Sequence, residues 1–192
     1  KVDLAKVYFS PRLLYERIRV ARKVAPNETV INMFAGVGCF SIIIAKYSQA
    51  SKVFSIDINP EAIRYMFENV FLNKVAGRVS TILGDSRAIT ELHLRARADR
   101  VLMPLPARAI AYLDAAIVAL KPKLGNIHVY DFVHAEKTEN PLQKTLDKIA
   151  PKLSQFDLSV IRKDMRIVRT IGPNWYQTVV DLTLGKLPTT NL

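Results

Sequence analysis

Thr29-Val30-Ile31-Asn32-Met33-Phe34-Ala35-Gly36-Val37-Gly38-Cys39-Phe40 is the stretch on which the fold turns. Its first half is a short apolar run rich in β-branched residues, the composition of a buried strand. Gly36 and Gly38 break that run, and a helical pattern follows from Phe40 to about Ser48. Strand, glycine turn and helix in this order open an α/β sheet. The alternation continues outward. Lys52–Ile58 reads as a second strand ending in Asp57, and Asn59-Pro60 opens a helix with Ala62, Ile63, Met66 and Val70 on one face. Proline suits the first helical position because it has no amide proton to leave unpaired. Val79–Leu83 and Arg100–Met103 read as strands three and four, Arg108–Leu120 as a helix, Ile127–Val133 as strand five and Pro141–Leu153 as a helix.

Strands alternating with helices of this length imply right-handed crossovers and a parallel sheet covered on both faces. The tail breaks the pattern. Leu158–Ile171 and Tyr176–Leu184 are two β-rich runs separated by Gly172-Pro173-Asn174, which reads as an antiparallel hairpin. A mostly parallel, Rossmann-like α/β sheet finished by such a hairpin is the strand inventory of a class I S-adenosylmethionine-dependent methyltransferase. We therefore expect a methyltransferase domain over residues 26–187. Residues 1–25 form a separate basic segment, with Leu13, Leu14, Ile18 and Ala21 turned inward. It either covers the sheet or acts as a lid over the cofactor.

The 192 residues are 49% hydrophobic and 23% charged, which excludes a disordered or fibrous chain. Lys and Arg number 28 against 17 Asp and Glu, a net charge of +11. That excess predicts attraction to a polyanion, nucleic acid first; a solvated lysine-rich surface is the alternative. Cys39 is the single cysteine, so no internal disulfide and no all-cysteine zinc site can form, and a reducing, cytoplasmic setting fits. No apolar run approaches the ~20 residues needed to span a bilayer. We expect no metal, no membrane partner and a monomer.

Ligands of open α/β sheets sit beyond the carboxyl ends of the strands. There Gly36 and Gly38 allow close backbone approach, Asp57 can accept both hydroxyls of a ribose, and Asp85, in Gly84-Asp85-Ser86, can accept from an adenine amino group. The other reading of the two acids is helix capping. The third glycine of a dinucleotide fingerprint is Ser41 here, so a pyrophosphate fits poorly and phosphate-free S-adenosylmethionine fits better. Met103-Pro104-Leu105-Pro106 ends strand four stiffly at the same rim, or simply terminates it. His93, His128 and His134 are scattered, and His128 is expected to pack within a strand. Glu16, flanked by Arg12, Arg17 and Arg19, is a surface ion pair by default. Buried by substrate it could take a proton from a ring nitrogen while Arg12 offsets charge on a neighbouring carbonyl oxygen. Trp175 and Tyr176 could stack on bases or pack at the turn.

Val7-Tyr8-Phe9-Ser10-Pro11-Arg12, Glu16-Arg17, Asn32 to Gly38 and Ile56-Asp57-Ile58-Asn59-Pro60 resemble the archaeal and eukaryotic tRNA (guanine-N1)-methyltransferases, which modify the guanine 3′ of the anticodon. The resemblance runs from Val2 to Gly185 and includes Ile171 to Tyr176. The wider group holds the wybutosine-pathway aminocarboxypropyl transferases, which use the same cofactor differently. The resemblance implies a cofactor site of Tyr8, Phe34, Ala35, Gly36, Val37 and Gly38, of Asp57, Ile58 and Asn59, and of Asp85, Ser86, Pro104 and Leu105. It also implies Glu16 as general base with Arg12 beside it, and tRNA as the partner. Asp57 followed by Asn59 favours methyl transfer, since the aminocarboxypropyl enzymes tend to carry glutamate at that strand end. Where the family has Asn-Leu-Pro after strand four this chain has Pro104-Leu105-Pro106, so one side-chain amide near the target base is absent. Family members also carry upstream tRNA-recognition domains, none of which precedes Lys1. Besides aminocarboxypropyl transfer, the remaining alternative is a non-catalytic RNA-binding module. Phosphate contacts are expected from the basic N-terminal helix and from Arg162, Lys163, Arg166 and Arg169.

Overall fold

In a computed structural model describing residues 1–122 and 124–185, the glycine-broken stretch becomes strand β1, Thr29–Asn32, then helix α2, Cys39–Tyr47. Lys186 and Leu187, which close the expected domain, lie outside the described residues. The remaining strands are β2 (Lys52–Asp57), β3 (Val79–Leu83), β4 (Arg100–Met103), β5 (Leu124–His134), β6 (Ser159–Gly172) and β7 (Trp175–Gly185). One seven-stranded sheet runs in the order β3-β2-β1-β4-β5-β7-β6. The β1 to β5 pairings are parallel, while β7 lies antiparallel between β5 and β6. The expected hairpin is therefore present, turning at Pro173-Asn174 with Asn174 at φ 57°.

Side chains alternate across the strands, so each face has its own core. Ile31, Met33, Val101, Met103, Ile127 and Val129 pack with α5 (Leu113–Ala119) and α6 (Pro141–Leu153). Val30, Val53, Leu102 and Tyr130 face the other way, against α1 (Leu14–Lys23), α2 and α3 (Pro60–Leu72). Asn59 caps α3 by accepting from the Glu61 amide at 2.9 Å, with Pro60 at the first position as expected. Among the described residues no helix is long and apolar enough to cross a membrane.

Three details differ from the expectations. A helix α4, Ser86–His93, follows β3 directly, in a segment between strands three and four to which the sequence pattern assigned no element; its amides at Arg87 and Ala88 are capped by Asp85. The helix expected over 108–120 begins as a 3-10 turn, Ala109–Tyr112, before α5. Another 3-10 turn, Pro11–Leu13, precedes α1 and shifts its phase. Leu13 is buried but Leu14 is exposed and Ile18 half-buried, so the inward stripe is Leu13, Glu16, Arg17, Val20 and Ala21.

Gly38 is a fold residue. It caps α2 at φ 88°, and a Cβ there would stand 2.8 Å from Met66 Cγ in the core. Gly38→Ala combines left-handed strain with overpacking and should cost about 1–3 kcal/mol, read as a lower urea midpoint with an unchanged slope.

Candidate active site

The sheet order reverses between β1 and β4, and a cavity of about 360 Å³ opens there at the strands' carboxyl ends. Its walls bring together Tyr8, Phe34, Gly36, Asp57, Ile58 and Asn59, and across from them Asp85, Ser86, Pro104 and Leu105. Ala35 and Val37 line a smaller hollow of about 70 Å³ instead, which shares Tyr8, Phe34, Gly36 and Pro104 with the main cavity. Gly38 lines neither.

Asp57 stands at the tip of β2. Its Oδ2 accepts the Gly36 amide at 2.7 Å and its Oδ1 the Asn59 amide at 2.9 Å. Gly36 holds φ 55°, and no heavy atom lies within 4 Å of where its Cβ would be, so the turn leaves open space at the acid. A carboxylate offers about four lone-pair sites. Asp57 therefore keeps roughly one free site on each oxygen, the acceptor pattern that a vicinal diol satisfies.

Asp85 is more committed. Its Oδ1 takes the Arg87 and Ala88 amides at 2.9 and 3.1 Å, and its Oδ2 takes the Tyr112 hydroxyl at 2.6 Å. The Tyr112 hydrogen bond holds the Asp85 carboxyl below its ordinary range, and the same bond raises the phenol. One acceptor site remains, enough for one amino group. Capping and ligand binding are thus both open to Asp85. Phe34 meets Tyr112 edge to face at 5.3 Å, which gives a ring-lined slot beside that acid. Asn59 reaches the wall, but its side chain is spent on the α3 cap and on the Lys6 carbonyl at 3.1 Å. Ser86 donates its hydroxyl to the Met33 carbonyl.

Val7, Ala62, Arg108 and Tyr112 also line the cavity and were missed in the sequence. Val7 lay inside a quoted motif and Ala62 on the predicted inward face of α3; Arg108 and Tyr112 carried no local signal.

Glu16 lies off both linings and is 2% exposed, so the surface ion pair expected by default is instead a buried one. The reason is the stripe of α1, which turns Glu16 onto the sheet. Arg19 grips the carboxylate with Nε at 2.9 Å and Nη2 at 2.7 Å, and Tyr130 donates its hydroxyl to Oε1 at 2.6 Å. Burial, with the adjoining Glu16 carboxylate, pushes the Tyr130 phenol well up, so it remains a donor. Arg166 on β6 stands 3.6 Å from Oε2. Arg12 is exposed, with no side-chain hydrogen bond among the described residues. Trp175 is half-exposed and meets His134 edge to face at 5.4 Å.

Behind Arg19 the polar chain continues. Arg19 Nη1 donates to Asp181 Oδ2 at 2.5 Å, and Lys23 donates to the same oxygen at 2.6 Å. His128 Nδ1 lies 2.6 Å from Asp181 Oδ1, while Arg100 Nη1 lies 2.7 Å from His128 Nε2. A guanidinium only donates, so Nε2 accepts, and His128 is neutral with its proton on Nδ1 pointing at Asp181. Arg100 is itself clamped by Glu28 at 2.7 and 2.9 Å. His128 does lie within a strand, as expected, but as a polar link rather than as packing.

Burial holds the His128 pKa below its ordinary value. Below about pH 6.5 the unfolded chain then takes up a proton that the folded chain refuses, so stability is complete above that pH and drains on acidification. Asp181 works in the same direction at lower pH: burial opposes its charge, but the His128, Arg19 and Lys23 partners hold its carboxyl well below the usual range. The unfolding free energy should fall between pH 7.5 and 5, with a slope from His128 of up to about 1.4 kcal/mol per pH unit, and the thermal midpoint should fall with it. His128→Asn should flatten that part of the curve.

Known proteins share this fold. The profile of the TRM5/TYW2 methyltransferase domain matches residues 1–161. The tRNA (guanine(37)-N(1))-methyltransferase Trm5b of Pyrococcus abyssi is 42% identical over 185 residues, 96% of this chain and 52% of that protein. The tRNA 4-demethylwyosine(37)-methyltransferase Taw21 of Saccharolobus solfataricus is 41% identical, over 94% of this chain and 64% of its own. The crystal structure of M. jannaschii TYW2 in complex with AdoMet superposes with a TM-score of 0.85 at 32% identity, covering 97% of this chain and 82% of that one. The chain thus spans about half to two thirds of the length of the two curated relatives.

Proposed function

The chain belongs to the TRM5/TYW2 methyltransferase family, and from that premise we propose that it transfers a methyl group from S-adenosylmethionine to N1 of the guanine beside a tRNA anticodon. The observation that carries the reading is the acceptor pattern of the cavity. Asp57 keeps two free sites for a ribose diol, Asp85 keeps one for an adenine amino group, and Phe34 and Tyr112 form a slot beside Asp85. A volume of about 360 Å³ is within the range of small-molecule pockets.

When bound, S-adenosylmethionine supplies an electrophilic methyl on a sulfonium. The chain's own residues do the rest. Asp57 and Asp85 orient the adenosine, and Tyr8, Pro104 and Leu105 exclude water along the same walls. Glu16 accepts the N1 proton of guanine, which frees the nitrogen's electron pair for the methyl. Arg12 offsets the charge that the loss of this proton places on the neighbouring carbonyl oxygen. Most of the rate comes from holding the two reactants in line.

Incubating the protein with methyl-labelled S-adenosylmethionine and tRNA, then digesting the tRNA and identifying the labelled nucleoside, tests this directly. N1-methylguanosine is expected; an unmodified tRNA would sink the reading. The second reading, aminocarboxypropyl transfer, is favoured by the superposition on TYW2 and would appear in the same digest as a heavier nucleoside without the methyl label.

For tRNA the candidate contacts are on the edge strand β6 and on α1. Arg162 and Lys163 are exposed there. Arg166 lies over the Tyr15 ring at 5.5 Å, and Arg169 donates to Gln177 at 2.7 Å and Tyr8 at 3.2 Å, so both are anchored, Arg169 on a residue of the cavity wall. With roughly four phosphates neutralised, affinity should drop on the order of a hundredfold between about 50 and 200 mM salt. A titration series that stays flat with salt would remove this patch from the interface.

A further inference from the structure

One end of the buried polar chain, Glu16, has a role in the reading above, and the rest has none. Arg19 and Glu16 are an i,i+3 pair on a helix, an arrangement that by itself is weak and geometrically loose. Arg19 is made rigid by the sheet. Asp181 receives its Nη1 at 2.5 Å and its Nη2 at 3.3 Å, from a strand flanked on both sides. Asp181 in turn is fixed by His128, which stands directly opposite it in the β5–β7 ladder and is 1% exposed. Tyr130, two residues further along the same face of β5, holds the other side of Glu16. The carboxylate is thus clamped from β5 directly and from β7 through a guanidinium.

Resting on the assignment of Glu16 as the base, we infer that Asp181 and His128 are positioning residues that act through Arg19 to set where the Glu16 carboxylate sits. Asp181 also shares the charge of Arg19. Without that share the guanidinium would belong wholly to Glu16 and would compete with the incoming proton. Lys23 remains on Asp181 as a second cation, and Arg100 with Glu28 locks the tautomer of His128. None of these residues lines the cofactor cavity.

The test is steady-state kinetics on tRNA with calorimetry of S-adenosylmethionine binding. Asp181→Asn should lower kcat on the order of ten- to a hundredfold, the scale of a displaced catalytic group, while KM and cofactor Kd stay within about twofold. His128→Leu should resemble it. His128→Asn, whose amide still donates toward Asp181, should recover most of that loss. In a Glu16→Gln background, Asp181→Asn should add less than about threefold, since both act through one group. An unchanged kcat in Asp181→Asn beside a crippled Glu16→Gln would overturn the inference. So would a full additional loss in the double variant, or equal kcat in His128→Leu and His128→Asn. If Glu16→Gln turns over normally, it is the base assignment that fails. A crystal structure of Asp181→Asn then decides the positioning claim alone: Arg19 and Glu16 in unchanged rotamers would overturn it, and a carboxylate displaced by about 1 Å or more would uphold it.

Discussion

Asp57→Ala is expected to weaken S-adenosylmethionine binding at least a hundredfold by calorimetry. Two hydrogen bonds from a ribose to a charged acceptor are worth about 1.5–3 kcal/mol each, and both disappear with the side chain. The same substitution strips the acceptors from the Gly36 and Asn59 amides, so the turn that shapes the cavity loses its internal brace. Asp57→Asn should fare little better. Its amide nitrogen would have to face either the Gly36 or the Asn59 N–H, setting donor against donor. Asp85→Ala offers a graded comparison: a single free acceptor site is lost, so affinity should fall by about tenfold, together with the cap of α4. Binding by Asp57→Ala as tight as that of the parent would take the ribose away from this acid and leave the cavity without a defined ligand.

The difference between these two acids shows what could be read in the sequence and what could not. Both stood at strand ends, so their place at the rim followed from the alternation of strands and helices alone. Their spare hydrogen-bonding capacity did not, because it depends on the Gly36 amide folding back and on Tyr112 arriving from 27 positions away. The strands and the hairpin were legible for a similar reason: their patterns are local, and only the ends shifted by a few residues. Helix α4 went unread because it is short, even though capping was one of the two readings of Asp85. The phase of α1 was hidden because the 3-10 turn at Pro11–Leu13 rotates it, exchanging Leu14 for Glu16 on the buried side. A helix with an acid and an arginine on its inner face reads as solvent-exposed until the partners on β5 and β7 are known. His128 and Asp181 are 53 residues apart and meet only in the finished ladder.

Glu16→Gln carries the second large effect, and it bears on chemistry rather than on binding. Removing a general base ordinarily costs about 10²- to 10⁴-fold in turnover, and that loss is expected in kcat. Cofactor affinity should be nearly untouched, since Glu16 lies off the main cavity lining. Glutamine preserves the volume beneath α1 and can still accept the Tyr130 hydroxyl, but its amide nitrogen meets the donating fork of Arg19. Some stability is therefore lost as well, so the thermal midpoint has to be read beside the rate. Tyr130→Phe separates the two contributions: it removes one donor from the carboxylate and leaves the base itself in place, so its effect on kcat should be far smaller. If instead Glu16→Gln lowered the midpoint while turnover held, the carboxylate would be a clamp between α1 and the sheet. The proton of the guanine would then need another acceptor, and the described residues offer Asp57 and Asp85 at the cavity, both already engaged with backbone amides.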